Sequence, residues 1–175
     1  MTNFSLHPFP GRTLRGMTIR GAIERTPQTL TLSFLLQGDL GDLLLPAATE
    51  RTRSDDLWQS TCFEMFWAEE GKENYWELNL APTGAWNVYA FTDYRAGMRR
   101  KERVAEPLIQ IGRTPDSFSL TAELMIGTLH ENTPSLRIGV SAVLRHQDSR
   151  LSHWALAHPE NRPDFHASQS FLLRV

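Results

Sequence analysis

Residues 75–91 read Tyr75-Trp76-Glu77-Leu78-Asn79-Leu80-Ala81-Pro82-Thr83-Gly84-Ala85-Trp86-Asn87-Val88-Tyr89-Ala90-Phe91. Two strand-like runs flank Pro82-Thr83-Gly84, residue types that reverse a chain. The stretch therefore predicts a β-hairpin with a loop of three to five residues. Side-chain alternation then sets the register. A loop over residues 81–85 puts Leu80 opposite Trp86 and Leu78 opposite Val88. One face then carries Trp76, Leu78, Leu80, Trp86, Val88 and Ala90, an apolar face made for a core. The other carries Glu77, Asn79, Asn87 and Tyr89. A loop one residue shorter mixes polar and apolar groups on both faces, so the five-residue register is the expected one. The polar face has two readings: an ordinary solvated face, or a ligand platform where carboxylate, amide and phenol groups converge.

Working outward, further segments read as strands. Residues 29–35 alternate polar and apolar with period two, and residues 117–125 place Phe118, Leu120, Ala122 and Leu124 on one side. Leu136, Ile138, Val140, Ala142 and Leu144 alternate in the same way. Residues 18–24, 61–68, 152–157 and 168–175 complete the set. No window sustains a helical i, i+3, i+4, i+7 pattern; the best helical stretch, 96–105, is short and mostly charged. The fold class expected is all-β, an antiparallel β-sandwich of about ten strands, immunoglobulin-like or jelly-roll in type. The longest expected loop is 37–56, of a length often used for binding.

The chain has 175 residues, so a single domain over 1–175 is expected. With 41% hydrophobic and 22% charged residues it can fill a core without disulfides or metal staples. Lys and Arg number 18 against 20 Asp and Glu, and 18 − 20 gives −2, without the basic excess of a nucleic-acid or membrane-surface binder. Cys62 is the single cysteine, so no intramolecular disulfide forms, which fits a reducing compartment. Residues 1–21 lack a signal-peptide apolar stretch, and runs such as Leu43-Leu44-Leu45 are far too short to span a membrane. A cytoplasmic location is the expectation. Phosphate-binding glycine motifs, H-E-x-x-H, C-x-x-C and G-x-S-x-G are all absent. Cys62, inside a strand pattern, reads as an inert buried thiol.

Two regions carry candidate chemistry. In the strand Thr61-Cys62-Phe63-Glu64-Met65-Phe66-Trp67, Glu64 stands among apolar residues and needs a partner if buried. Arg95 is the partner expected, either as a structural ion pair or as a pair that binds sugar hydroxyls. If this strand neighbours the hairpin, Glu64 and Glu77 share a face. The second region, His153 to His166, holds three of the six histidines. Its spacing matches no metal pattern, so no metal is assigned. Either Asp164 and His166 tie the loop to backbone, or Trp154, His158 and Asp164 border a ligand pocket.

The blocks Leu57-Trp58-Gln59-Ser60-Thr61-Cys62-Phe63-Glu64-Met65-Phe66, the hairpin 75–91, Tyr94-Arg95-Ala96-Gly97-Met98, Trp154-Ala155-Leu156-Ala157-His158-Pro159 and Pro163-Asp164-Phe165-His166 occur in order. With Leu6-His7-Pro8 they resemble the bacterial DOMON-like family. That resemblance implies a β-sandwich related to family 9 carbohydrate-binding modules and to haem-binding DOMON domains, with no assigned activity. It implies a sugar or sugar-derivative ligand, small or oligomeric, held by Trp58, Glu64, Glu77, Asn79, Arg95, Trp154, His158, Asp164 and His166. Two alternatives stand beside it. One is b-type haem, ligated by Met65 or Met98 with His158 or His166; otherwise no cofactor is expected. The other is a sugar hydrolase using Glu64 and Glu77.

Overall fold

The computed structural model describes residues 1–10, 16–127 and 135–175. Its strands are β1 (Thr2–Pro8), β2 (Thr18–Arg25), β3 (Thr29–Gln37), β4 (Cys62–Glu69), β5 (Tyr75–Leu80), β6 (Trp86–Phe91), β7 (Arg99–Arg100), β8 (Leu108–Arg113), β9 (Ser117–Met125), β10 (Leu136–Arg145), β11 (Leu151–Ala155) and β12 (Leu173–Arg174). They pair antiparallel in the order β7-β6-β5-β4-β10-β11-β1-β2-β3-β9-β8, with β12 on β10. β1 joins the two halves: Thr2 to Leu6 pair with β2, then His7 and Pro8 cross to β11. The sheet curls on itself into a sandwich. Phe34 of β3 meets Phe63 of β4 at 5.0 Å between ring centres, and Phe63 stacks on Phe118 of β9 at 5.4 Å.

The hairpin adopts the expected register, with Leu80 opposite Trp86 and Leu78 opposite Val88. Its loop closes through Ala81 N–H to Ala85 O at 2.8 Å, and Gly84 supplies the positive φ of 91° that the turn requires. Trp76, Leu78, Trp86 and Val88 face the inner core, with Met65 and Trp67 of β4 beside them. β9 alternates as expected, and the expected set Leu136, Ile138, Val140, Ala142 and Leu144 of β10 faces the inner core.

Other expectations change. β1 and β8 escape the periodicity reading because each has few apolar positions; Phe4 and Leu6 alone are buried in β1. Residues 96–105 form no helix: Gly97 takes a φ of 63°, and Arg99–Arg100 join the sheet edge. Residues 168–175 are a 3-10 turn, Ser168–Ser170, followed by the two-residue β12. Phe171 leaves the strand path to pack on the outer face of β10. Loop 37–56 is present, but Leu40, Leu43 and Leu45 within it are core residues that close one end of the sandwich.

The decisive feature is that β4, β5, β6 and β10 are buried on both faces. On their outer face Phe66, Ala68, Tyr75, Tyr89, Phe91 and Phe171 form a second cluster, with Trp58 and Phe165 packed against it. Residues 157–171 cover this face from one side and residues 54–59 from the other. Gly139 of β10 makes room for the cover, since a Cβ there would lie 2.7 Å from Cδ1 of Phe171. Gly139→Ala is therefore expected to destabilise the fold by about 1–3 kcal/mol through overpacking. Urea unfolding checks this; an unchanged midpoint would show that the cover yields freely.

Candidate functional site

Outward side chains of β4, β5 and β6 lie under the two covering segments, and a pocket of about 330 Å³ remains between them. Glu64 and Glu77 line its floor. Trp58, Phe91 and Phe165 are its aromatic walls, and Arg95, Met98, His153 and His166 complete it with Val143 and Pro163.

Each covering segment is tied down through polar groups of the same face. Asp55 accepts hydrogen bonds from the Tyr89 hydroxyl and from Asn87 Nδ2, both at 2.7 Å. Tyr89 then meets the Trp58 ring edge-on at 5.6 Å, which fixes that wall. Asp56 turns the chain with a φ of 60°. On the other side Asp164 accepts hydrogen bonds from the Tyr94 hydroxyl, from Arg95 Nη2 at 3.0 Å and from the His166 backbone N–H at 3.1 Å. Arg95 reaches it from a backbone with a φ of 50°, a strained conformation of the kind that clusters at functional sites.

The floor is unusual electrostatically. Glu64 and Glu77 are 2% and 4% exposed. Ser141 Oγ donates to Glu64 Oε2, and Asn79 Nδ2 donates to Glu77 Oε1, both at 2.8 Å. Burial, together with the neighbouring Glu77 carboxylate, pushes Glu64 up to about 8. Burial likewise pushes Glu77 up to about 7, against the pull of Asn79 and Arg95. Burial, then the Arg95 charge, lowers His166 to about 4, so its ring is neutral at pH 7. The Tyr75 hydroxyl accepts from the Arg95 backbone N–H at 3.2 Å and lies 2.8 Å from His166 Nδ1. The direction of that second hydrogen bond follows the His166 tautomer. Burial pushes Asp164 up, but Tyr94 and Arg95 outweigh it and hold this carboxylate below the usual range.

Five of the nine expected residues meet at the pocket or its wall directly: Trp58, Glu64, Glu77, Arg95 and His166. Asn79 lies beneath the floor, fully buried, and orients Glu77. Asp164 faces a neighbouring polar cavity and acts as the pin of the cover. Two placements are corrected. Trp154 belongs to the inner core, because the β11 register turns it toward Leu144 and Ala142 rather than outward. His158 packs on Phe9 and its Nε2–H donates to His7 O at 2.8 Å, away from the pocket. The Arg95 partner is likewise Asp164, not Glu64. Glu64 and Glu77 are not directly opposed: Glu64 faces Asn79 and Glu77 faces Phe66, so the two carboxyls are diagonal neighbours. Met65 points into the inner core, on the other side of the sheet from His166. Burial raises the Cys62 thiol well above its usual range, as an inert group requires. Phe91, His153 and Phe165 lie outside the expected set, and Met98, expected only as a haem ligand, lines the pocket. Phe91 simply continues the outward series Asn87, Tyr89, and His153 alternates with Trp154.

No family model matches the chain, and no curated protein matches its sequence. Solved structures do. A candidate carbohydrate-binding protein from Bacteroides uniformis superposes with a TM-score of 0.63 at 12% identity, covering 95% of this chain and 84% of the other. A family 9 carbohydrate-binding module from Caldicellulosiruptor kristjanssonii, solved with glucose, gives 0.58 at 10% identity, covering 94% and 78%. The same organism's module with cellotriose gives 0.55 at 10%, covering 88% and 71%. The chain therefore has the fold of a family 9 carbohydrate-binding module.

The buried glutamates couple stability to pH. Their folded values lie above the unfolded one, so their contribution is complete below about pH 4.3. It is lost as pH rises through about 7 and about 8. The urea midpoint is expected to fall between about pH 6 and about pH 9. Glu64→Gln should flatten that fall; equal slopes in both proteins would assign it to other groups.

Proposed function

We propose that this chain is a carbohydrate-binding domain, and that the outer-face pocket holds a small sugar or sugar derivative. The observation that carries this reading is the pairing of aromatic walls with a carboxyl floor in one enclosed space. Sugars present apolar C–H faces, which rings cover, and hydroxyl edges, which carboxyls and amides bind. Trp58, Phe91 and Phe165 provide the first, and Glu64, Glu77 and the His166 ring the second. At about 330 Å³ the space is at the small end of ligand pockets, which suits one or two sugar rings. The named ligands of the structural neighbours, glucose and cellotriose, support the same class.

The DOMON-like resemblance fits this reading. The blocks 57–66, 75–91, 94–98 and 163–166 each contribute a residue to the pocket, the last from about seventy residues further along the chain.

Isothermal titration with hexoses, amino sugars, nucleotide sugars and short oligosaccharides tests the proposal. One class is expected to bind saturably. Trp58→Ala and Phe165→Ala should each weaken it by about tenfold, the scale of one lost ring contact of about 1.4 kcal/mol. Trp154→Phe, on the inner core, should leave the affinity unchanged. Absence of saturable heat with every sugar would overturn the reading.

A further inference from the structure

The pocket floor holds two carboxyls, and the cation that lines the pocket beside them, Arg95, is paired with Asp164. Each glutamate uses one oxygen on a firm protein donor, Ser141 for Glu64 and Asn79 for Glu77. The remaining oxygen of Glu77 has no protein donor among the described residues, and Glu64 has only the Cys62 thiol nearby, a weak donor. Both side chains line the pocket. Their burial is therefore incomplete as chemistry: a carboxylate removed from water needs a partner or a proton.

The other charged and titratable groups around the floor do not supply that partner. Arg95, from the segment after β6, forms its ion pair with Asp164 at 3.0 Å, so the two cancel. Burial keeps His166, from the covering segment, and His153, from β11, in the neutral form at pH 7. The Tyr75 phenol of β5 is engaged by His166 and the Arg95 backbone. Asp55 and Tyr89 bind one another behind Trp58. Once the pair gives up its protons, the surplus charge of the site is negative.

An ammonium group answers this vacancy with three N–H donors on one positive centre. The aromatic walls add a surface that attracts a cation as well as sugar C–H groups. We infer that the ligand carries a protonated amine, placed between Glu64 and Glu77. Resting on the carbohydrate reading above, the ligand class is an amino sugar with a free amine. N-acetylation would remove the charge and enlarge the group that enters the floor.

The test is titration calorimetry with glucosamine, galactosamine, their neutral parents glucose and galactose, N-acetylglucosamine, and the ring amine cyclohexylamine. At about pH 7 at least one amino sugar is expected to bind about ten- to a hundredfold tighter than its neutral parent, the scale of hydrogen bonds to charged groups. Binding should release protons, read as heats that vary with the buffer's ionisation enthalpy. Near about pH 5, where the pair holds its protons, the preference should shrink. Glu77→Gln and Glu64→Gln, each checked for native circular dichroism, should lower the preference, read as the ratio of amino-sugar to neutral-sugar affinity in the same variant. Equal affinity for amino and neutral sugars overturns the amine inference and leaves the sugar reading standing. Binding of cyclohexylamine but of no sugar, amino or neutral, supports the amine and overturns the sugar reading. Failure of every probe to bind overturns both.

Discussion

The Asp164 carboxylate holds this molecule's outer face closed. It gathers the Tyr94 hydroxyl, the Arg95 guanidinium and the His166 backbone amide onto two oxygens. Those donors come from the segment that follows β6 and from the C-terminal cover itself. The carboxylate therefore links two stretches about seventy residues apart in sequence. With the link made, residues 163–166 lie over β4, β5 and β6, and Phe165 and His166 become pocket walls. Charge-assisted hydrogen bonds of this kind are shorter and stronger than neutral ones, and burial of Asp164 strengthens them further.

Closing that face changes the chemistry of what lies beneath it. A sheet facing water on one side would leave Glu64 and Glu77 as ordinary ionised carboxylates. Here the same residues are nearly dry, and they repel one another across a strand pair. Their protons are held to neutral pH as a result. His166 shifts the opposite way for the same reason, because burial disfavours its cation. The polar outer face is thus neither a plain solvated face nor an open platform. It is a second, partly polar core with the pocket left open in it.

The fold likeness to family 9 modules describes the scaffold, and at 10–12% identity it describes no more than that. Function resides in the side chains mounted on a scaffold. The carboxyl pair, the neutral histidine and the Arg95–Asp164 pin are read from this chain's own geometry.

The hairpin register, the inward and outward series of β4 to β6, and the alternation of β9 and β10 were legible in the sequence. Each follows from the two-residue period of a strand, which needs no tertiary knowledge once the turn is placed. The presence of Glu64, Glu77 and Asn79 on one face followed in the same way. Short or weakly apolar strands, β1 and β8, were not legible, because two or three apolar positions do not make a periodic signal. Trp154 and His158 were misplaced because composition marks a region as rich in functional groups without saying which way each side chain points. Partner choice was hidden for a stronger reason. Arg95 chooses Asp164 over Glu64, and Glu64 sits diagonal to Glu77, because strand register and the path of the C-terminal cover set distances between residues remote in sequence. The sequence by itself determined the alternation and thus the two faces of each strand. Only the tertiary structure decided that both faces are buried, since the second burial depends on a loop whose position no local period encodes.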